Sequence, residues 1–462
     1  MIGLTRFRLW DTWKRAETGP ICPVKTFETK VLFPKARELV KRYGLKYDPE
    51  NPVPTDDSLI DDIYKAAMEL LLEVGVLCTD TERIIKFQDS EVKEVLRNSP
   101  TEAILGQGND AVVLRKRNLE DRIPPLLSTG PTGAPISEDI ALKLYQGCAQ
   151  EPAADFLTTG FFTTIEGEEI KVGSPMELYA EMANTRIARE AFIRAGRPGM
   201  GIRGSAAVTV RASIAAPWRA GDAIHAWIMP EMKTDYDTLC RALYWMSNGF
   251  HVWGGGIPTL GGFAGGAEGT SIVSAAETIA GRVLYNTTYG NAGAIVHPLF
   301  TGTTSRIVLW SGNLASAAIN KNSNLLTAKH APYITYAGPC TEMAFYETAT
   351  TVIGSTVVGT SILTVGSGRQ GIKVDCCTPM ETRLAGEVRE AIIRMKMKRS
   401  EANEMVKALL AKYEQMIEKK AVPEGKTFRE CYDIARLVPS KEYQDIYAKV
   451  KAELADLGLK FE

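Results

Sequence analysis

Through the middle of the chain, short apolar runs give way to amphipathic ones, and glycine or proline stands at most of the changes. The punctuation falls at Gly130-Pro131, Gly196 to Gly204, Gly254 to Gly269, Gly302 and Gly338-Pro339. Such a rhythm of apolar run, flexible turn and helical run reads as repeated βα units. Ala206 to Val210 and Ala294 to His297 have the small and β-branched composition of strands buried on both faces. Ser137 with Asp139 two residues on, and Ser174 followed by Pro175 and Glu177, have the composition of helix starts. About 300 residues of this alternation predict an α/β fold, a (β/α)8 TIM-type barrel.

The two ends of the chain read differently. Glu387 to Ala421 is rich in charge and carries Val406, Leu410, Tyr413 and Ile417 at helical spacing. Gly425 to Asp433 interrupts with a compact turn, and Tyr443 to Leu457 resumes the helical pattern. The first fifty residues, with prolines and weak periodicity, suggest an arm packed on the body or on a neighbouring subunit. The expected organisation is an N-terminal arm over 1–55, the barrel over 56–385 and a C-terminal helical extension over 386–462.

Composition narrows the function classes. The 54 basic and 55 acidic residues leave a net charge of -1, which gives no reason to expect nucleic acid or a membrane surface as partner. No apolar run reaches the roughly 18 residues of a membrane span, and the basic start of the chain lacks a signal-peptide core. The reading is a cytoplasmic protein. Its eight scattered cysteines read as reduced, mostly buried thiols. Neither a GxxxxGK[ST] phosphate loop nor a GxSxG nucleophile elbow occurs, so nucleotide and serine hydrolysis find no support.

Several stretches carry a more specific signal: Leu77-Cys78-Thr79-Asp80-Thr81, Gly130-Pro131-Thr132-Gly133, Ala195 to Gly201, Gly261 to Gly266, Ala337 to Met343, and Gly425 to Asp433. On these the chain resembles the monomethylamine:corrinoid methyltransferases of methanogens, from about Lys41 to the C-terminus. The resemblance implies methyl transfer from a small methylated substrate to cob(I)alamin on a cognate corrinoid protein, and a homo-oligomer, in that family a hexamer. It also places Arg203 where the family keeps a pyrrolysine. A guanidinium is a permanent cation with donors only and cannot capture an amine as an imine adduct. The family's other polar positions around pyrrolysine fall on Ala226, Gly255, Pro332 and Ile334, which are apolar here.

A less polar pocket among crowded aromatics leads to the expectation of a methoxylated aromatic donor and O-demethylation. A quaternary or tertiary methylamine such as a betaine is the alternative, and a non-catalytic small-ligand binding protein a third reading. Arg203 reads either as a ligand contact or as half of an internal ion pair, with His225, His251, Tyr333 and Tyr336 as candidate proton donors. Trp227, Trp253, Gly255, Phe263 and Ile334 are candidate substrate contacts, although core packing explains most aromatics equally well. Gly130, Gly133, Gly199 and Met200 are candidate contacts to the corrinoid. Zinc is the weak option, with His297, Cys340 and Glu342 as scattered ligand types.

Overall fold

The computed structural model describes residues 2–204, 209–297, 302–329 and 335–461. Eight parallel strands close into a barrel in chain order. They are β1 (Leu126–Thr129), β2 (Phe156–Thr158), β3 (Gly201–Gly204), β4 (Ala223–Ile228), β5 (His251–Gly256), β6 (Tyr289–Asn291), β7 (Thr327–Lys329) and β8 (Ile362–Thr364). A helix follows each strand: α1 (Glu138–Gln150), α2 (Pro175–Arg194), α3 (Val210–Ala215), α4 (Tyr236–Ser247), α5 (Ala267–Tyr285), α6 (Arg306–Asn322), α7 (Glu342–Val357) and α8 (Pro379–Met395). The expected (β/α)8 barrel is the fold observed.

Side chains alternate along each strand. Leu127, Leu157, Ile202, Ile224, Val252 and Leu363 belong to the main core, each contributing about 1.5–3 kcal/mol by burial. Phe156, Ala223, Trp253, Tyr289 and Ile362 form a separate inner cluster. Helix starts follow the local chemistry in most cases. Ser174, Thr209, Asp235, Thr341 and Thr378 each accept a backbone N–H as N-caps of α2, α3, α4, α7 and α8. Ser137 precedes α1 as expected but does not cap it. Its hydroxyl and N–H instead both donate to Asp375, at 2.7 Å each, tying the loop after β1 to the one after β8.

The two expected strands lie elsewhere. Of Ala206 to Val210, residues 206–208 fall outside the described residues and Val210 opens α3; the strand is Gly201–Gly204 just before it. At Ala294 to His297 only an isolated bridge forms, Val296 to Thr259, and the strand is Tyr289–Asn291. Both apolar runs lie beyond the C-terminal ends of the real strands.

A hairpin, Glu102–Leu105 paired with Val112–Arg115, plugs the N-terminal end of the barrel. Leu105 and Leu114 join the inner cluster, and the N–H groups of Gly106 and Gln107 donate to the carbonyls of Gly221 (2.9 Å) and Gly199 (2.8 Å). Gly221 has φ +88°, and a Cβ there would sit 2.3 Å from the Gly106 oxygen, so only glycine fits.

The N-terminal segment is helical. Ile2–Thr18, Phe33–Arg42 and Asp57–Val74 pack on the body, with Trp13 Nε1 donating to the Leu284 carbonyl at 2.8 Å. At the other end, α8 runs past residue 385 to Met395 and stops at Lys396 in the left-handed region. Two further helices, α9 (Arg399–Glu418) and α10 (Lys441–Asp456), cover α7, and α10 also reaches α8 through Tyr443, whose hydroxyl donates to Glu381 at 2.5 Å. Val406, Leu410, Tyr413 and Ile417 are the buried stripe of α9, as their spacing predicts. Among the described residues no helix is long and apolar enough to cross a membrane.

Candidate active site at the barrel mouth

The plug covers the N-terminal ends of the strands and leaves the C-terminal ends, where barrel enzymes carry their reacting groups. The last inward positions form a polar layer over the aromatic one. The hydroxyls of Ser128 (β1) and Thr158 (β2) bond to each other at 2.6 Å. Arg203 of β3 reaches across the barrel, its Nη1 donating to Thr364 Oγ1 of β8 at 2.7 Å and its Nη2 to Asn291 Oδ1 of β6 at 3.5 Å. Its guanidinium carbon lies 3.6 Å from the ring centroid of Trp253 and 5.7 Å from that of Tyr289. Trp253 and Tyr289 are themselves parallel, and Trp227 meets Trp253 edge-on at 4.6 Å. Arg203 is wholly buried. A guanidinium cannot discharge itself by losing a proton, so the centre of the barrel carries a fixed positive charge seated on an aromatic floor, an arrangement worth about 2 kcal/mol when desolvated. Burial pushes the Tyr289 phenol up to about 12, although Arg203 draws it the other way.

The expected proton donors fare differently. His225 stands at the mouth, its ring 6.1 Å from Trp227 and 6.0 Å from Trp253. Its Nε2 lies 2.7 Å from Nη1 of Arg241. Because arginine only donates, Nε2 is the acceptor and the ring proton is on Nδ1, towards the Gly204 carbonyl at 3.4 Å. Burial, and then the Arg241 charge, hold the imidazole far below its ordinary value. His225 is therefore a neutral bracing residue rather than an acid.

His251 is misplaced by the sequence reading: as the first residue of β5 it lies at the plugged end, with Nε2 donating to the Ile104 carbonyl at 2.7 Å. Gly199 and Met200 precede β3 at that same end, with Gly199 N–H on Asp110 Oδ2 at 2.9 Å, and so cannot face a partner at the mouth. Tyr336 is buried, its hydroxyl directed at the Gly302 carbonyl at 3.4 Å, and burial raises its phenol well above the ordinary range. It is a poor acid there. Tyr333 and Ile334 lie outside the described residues.

Among the substrate candidates, Trp227 and Trp253 belong to the aromatic layer, while Phe263 sits 37% exposed in the loop after β5. Gly255 opens no cavity: it has φ +102°, and a Cβ would sit 2.7 Å from the Asn291 oxygen, so β6 backbone takes the space. Ala226, fully buried, belongs to the main core and not to the inner cluster. Gly130 and Gly133 are at the mouth, in the loop after β1. The weak zinc candidates do not converge. Cys340 sits buried under the 423–426 turn, Glu342 faces Lys449 at 2.6 Å on the outer side of α7, and His297 lies at the loop after β6. Among the described residues no group of three metal-ligand types comes together.

Three carboxylates escaped the sequence reading. Glu347 of α7 accepts from the N–H groups of Tyr336 (2.7 Å) and Ala337 (3.0 Å) and from the Thr304 hydroxyl, holding the loops after β6 and β7 together. Burial lifts it to about 7. Glu277 of α5 accepts from Met232 N–H at 2.9 Å, and Glu231 from Thr259 N–H at 3.1 Å, bracing the loops after β4 and β5. Burial raises both. For Glu277 and Glu347 the available signal was a lone glutamate inside an all-apolar or small-residue helix, as in Ser271 to Gly281 and Met343 to Gly354; Glu231, in a loop, carried none.

Comparison with known proteins agrees with the barrel and changes the substrate reading. The family profile described as monomethylamine methyltransferase MtmB matches residues 7–459. Monomethylamine methyltransferase MtmB3 of Methanosarcina barkeri (strain Fusaro) is 35% identical over 98% of this chain and 99% of its own length. MtmB of Methanosarcina mazei is 34% identical over the same shares. The crystal structure of the Methanosarcina barkeri monomethylamine methyltransferase superposes with a TM-score of 0.93, at 33% identity, covering 98% of both chains. The expectation of a methoxylated aromatic donor is overturned: these full-length relatives act on monomethylamine. The polarity argument behind it also fails at Gly255, where backbone fills the supposed cavity. The chain belongs to the monomethylamine methyltransferase MtmB family and is a methyltransferase, passing its methyl group to the corrinoid of a partner protein.

Proposed function

We propose that the donor is a methylated amine, of the class named for the relatives, taken up at the barrel mouth above Arg203. The observation that carries this reading is the match over nearly the whole length of both chains, mouth strands included. The partner's cob(I)alamin supplies the nucleophile for the methyl carbon. The plug at the N-terminal end fits that role, because among the described residues it covers one end of the barrel and leaves the mouth for a partner.

What the chain's own residues do follows from charge. A methylated ammonium loses its positive charge when its methyl leaves, and the nitrogen gains a lone pair. Arg203 opposes the cation before transfer and has N–H groups to donate to that lone pair afterwards. Both effects favour the transition state over the bound donor. At 4 Å and an effective dielectric near 20, two unit charges interact by about 4 kcal/mol, so the effect is large enough to matter. Trp253, Thr364 and Asn291 hold the guanidinium in one place, which removes reorganisation from the reaction.

The test is a spectroscopic transfer assay with the cognate corrinoid protein reduced to cob(I)alamin and mono-, di- and trimethylamine as donors. Loss of the cob(I)alamin signal with at least one of these amines supports the reading. Silence with all three, under conditions where the corrinoid protein accepts methyl groups from methyl iodide, overturns it.

A further inference from the structure

The loop between β2 and α2 folds over the rim of the mouth. Phe161–Phe162 pairs with Pro135–Ile136 of the loop after β1, and Thr164–Ile165 pairs with Glu168–Glu169. Between this loop and α2 lies a cavity of about 320 Å³, walled by Phe161, Phe162 and Ile170 and edged by Glu169, Glu177 and Glu181. Two of the carboxylates are accounted for. Glu169 is exposed, and Glu177 accepts from the Gly173 N–H at 2.7 Å and from the Thr209 N–H and hydroxyl at 3.0 and 2.9 Å.

Glu181 is different. It is only 5% exposed and lines the cavity, yet no described residue forms a hydrogen bond or close ion pair with its carboxyl. The charged and titratable groups around it are Arg241 of α4, Glu177 of its own helix and Tyr145 of α1. Burial pushes the carboxyl up to about 7, with Arg241 drawing it down and Glu177 adding to the rise. A carboxyl largely shielded from bulk water has lost part of its hydration, which a cation in the cavity would offset. Two phenyl rings line the same cavity, and organic cations favour such surroundings.

We propose that this cavity is a binding site for a small alkylammonium cation, its nitrogen held by Glu181 and its methyl group set against Phe161 and Phe162. The inference rests on the methylated-amine reading and adds to it a site at the rim, apart from the barrel centre where Arg203 repels the same cation. Buried side chains link the two places. Arg241, whose charge acts on Glu181, donates to His225, and the His225 ring stands beside Trp253 under Arg203.

The test is isothermal titration calorimetry of the full chain with methylammonium chloride, blanked with sodium chloride at equal ionic strength. The expected result is saturable heat that persists in Arg203→Ala and weakens at least tenfold in Glu181→Gln and in Phe161→Leu. Absence of saturable heat from the unaltered chain, or unchanged heat in both cavity variants, would overturn the site. Circular dichroism identifies a variant that does not fold, and if Glu181→Gln fails that check the Phe161→Leu result decides. Methyl transfer from methylamine together with unchanged heats sinks the cavity and leaves the proposed function standing. Glu181-dependent heat without any methyl transfer does the reverse.

Discussion

The guanidinium carbon of Arg203 lies 3.6 Å from the ring centroid of Trp253. One residue supplies a charge that cannot be removed, and the other supplies the surface that allows it to be buried. Neither a lysine nor a neutral side chain reproduces that pair, because stacking and the two-pronged reach to Thr364 and Asn291 both depend on a planar fork. Arg203→Lys should therefore lower kcat/KM for methyl transfer by about 100-fold or more, the scale of losing one oriented charge donor. Steady-state consumption of cob(I)alamin by the variant checks this, and near-normal turnover would show that charge alone suffices.

His225 should stay neutral and keep its Nδ1 proton across the working pH range. Its folded pKa is lowered from the ordinary 6.5, so the unfolded chain takes up a proton that the folded chain refuses. The stability it contributes is complete above pH 6.5 and falls as the pH drops below that value. Nitrogen chemical shifts of the labelled imidazole, followed from pH 8 to 5.5, should show no titration. A midpoint near 6.5 would contradict the tautomer assigned from Arg241.

Glu347 works in the opposite sense. Its carboxyl titrates near 7 in the fold against 4.5 in the unfolded chain, so the fold keeps a proton that the unfolded chain has lost. Its contribution is full below pH 4.5 and disappears as the pH rises to about 7. At about 1.4 kcal/mol per pH unit, the loss is on the order of 3 kcal/mol. Glu347→Gln should flatten that slope, so that urea melts at pH 5 and pH 8 differ less for the variant than for the unaltered chain. An equal difference in both would remove Glu347 as the titrating group.

Gly221→Ala should loosen the plug. The new Cβ would meet the Gly106 oxygen at 2.3 Å in a backbone conformation that alanine avoids. A cost well above 1 kcal/mol is expected. Thermal unfolding reads it directly, and amide exchange at Gly106 and Gln107 should rise at the same time. A melting temperature unchanged within error would mean that the hairpin shifts freely.

The barrel was legible because its glycine and proline punctuation tracks turns between strands and helices, and that rhythm survives small errors in position. The strands themselves were not. Gly201–Gly204 and Tyr289–Asn291 hold only three or four residues and contain glycine, whereas the better-looking runs at Ala206 and Ala294 lie past the strand ends. Linear order also says nothing about which end of a strand a residue occupies, which is why His251, Gly199 and Met200 were assigned to the mouth and lie at the plug. Arg203 was singled out by the resemblance. Its seat on Trp253 and its bonds to Thr364 and Asn291 were not, since residues 50 to 161 positions away meet only once the barrel closes. Glu181, Glu277 and Glu347 went unnoticed because a glutamate in a helix reads as a solvated one until the packing is known.

The hairpin at Glu102–Arg115 gives the barrel a dead end. Among the described residues that leaves the mouth as the entrance, and on the proposed reading traffic has an order: an amine arrives before the corrinoid protein settles over the opening, and the spent amine waits until that protein leaves. A large excess of partner should then slow turnover rather than speed it, because the lid that completes the reaction is also the stopper that delays the next molecule.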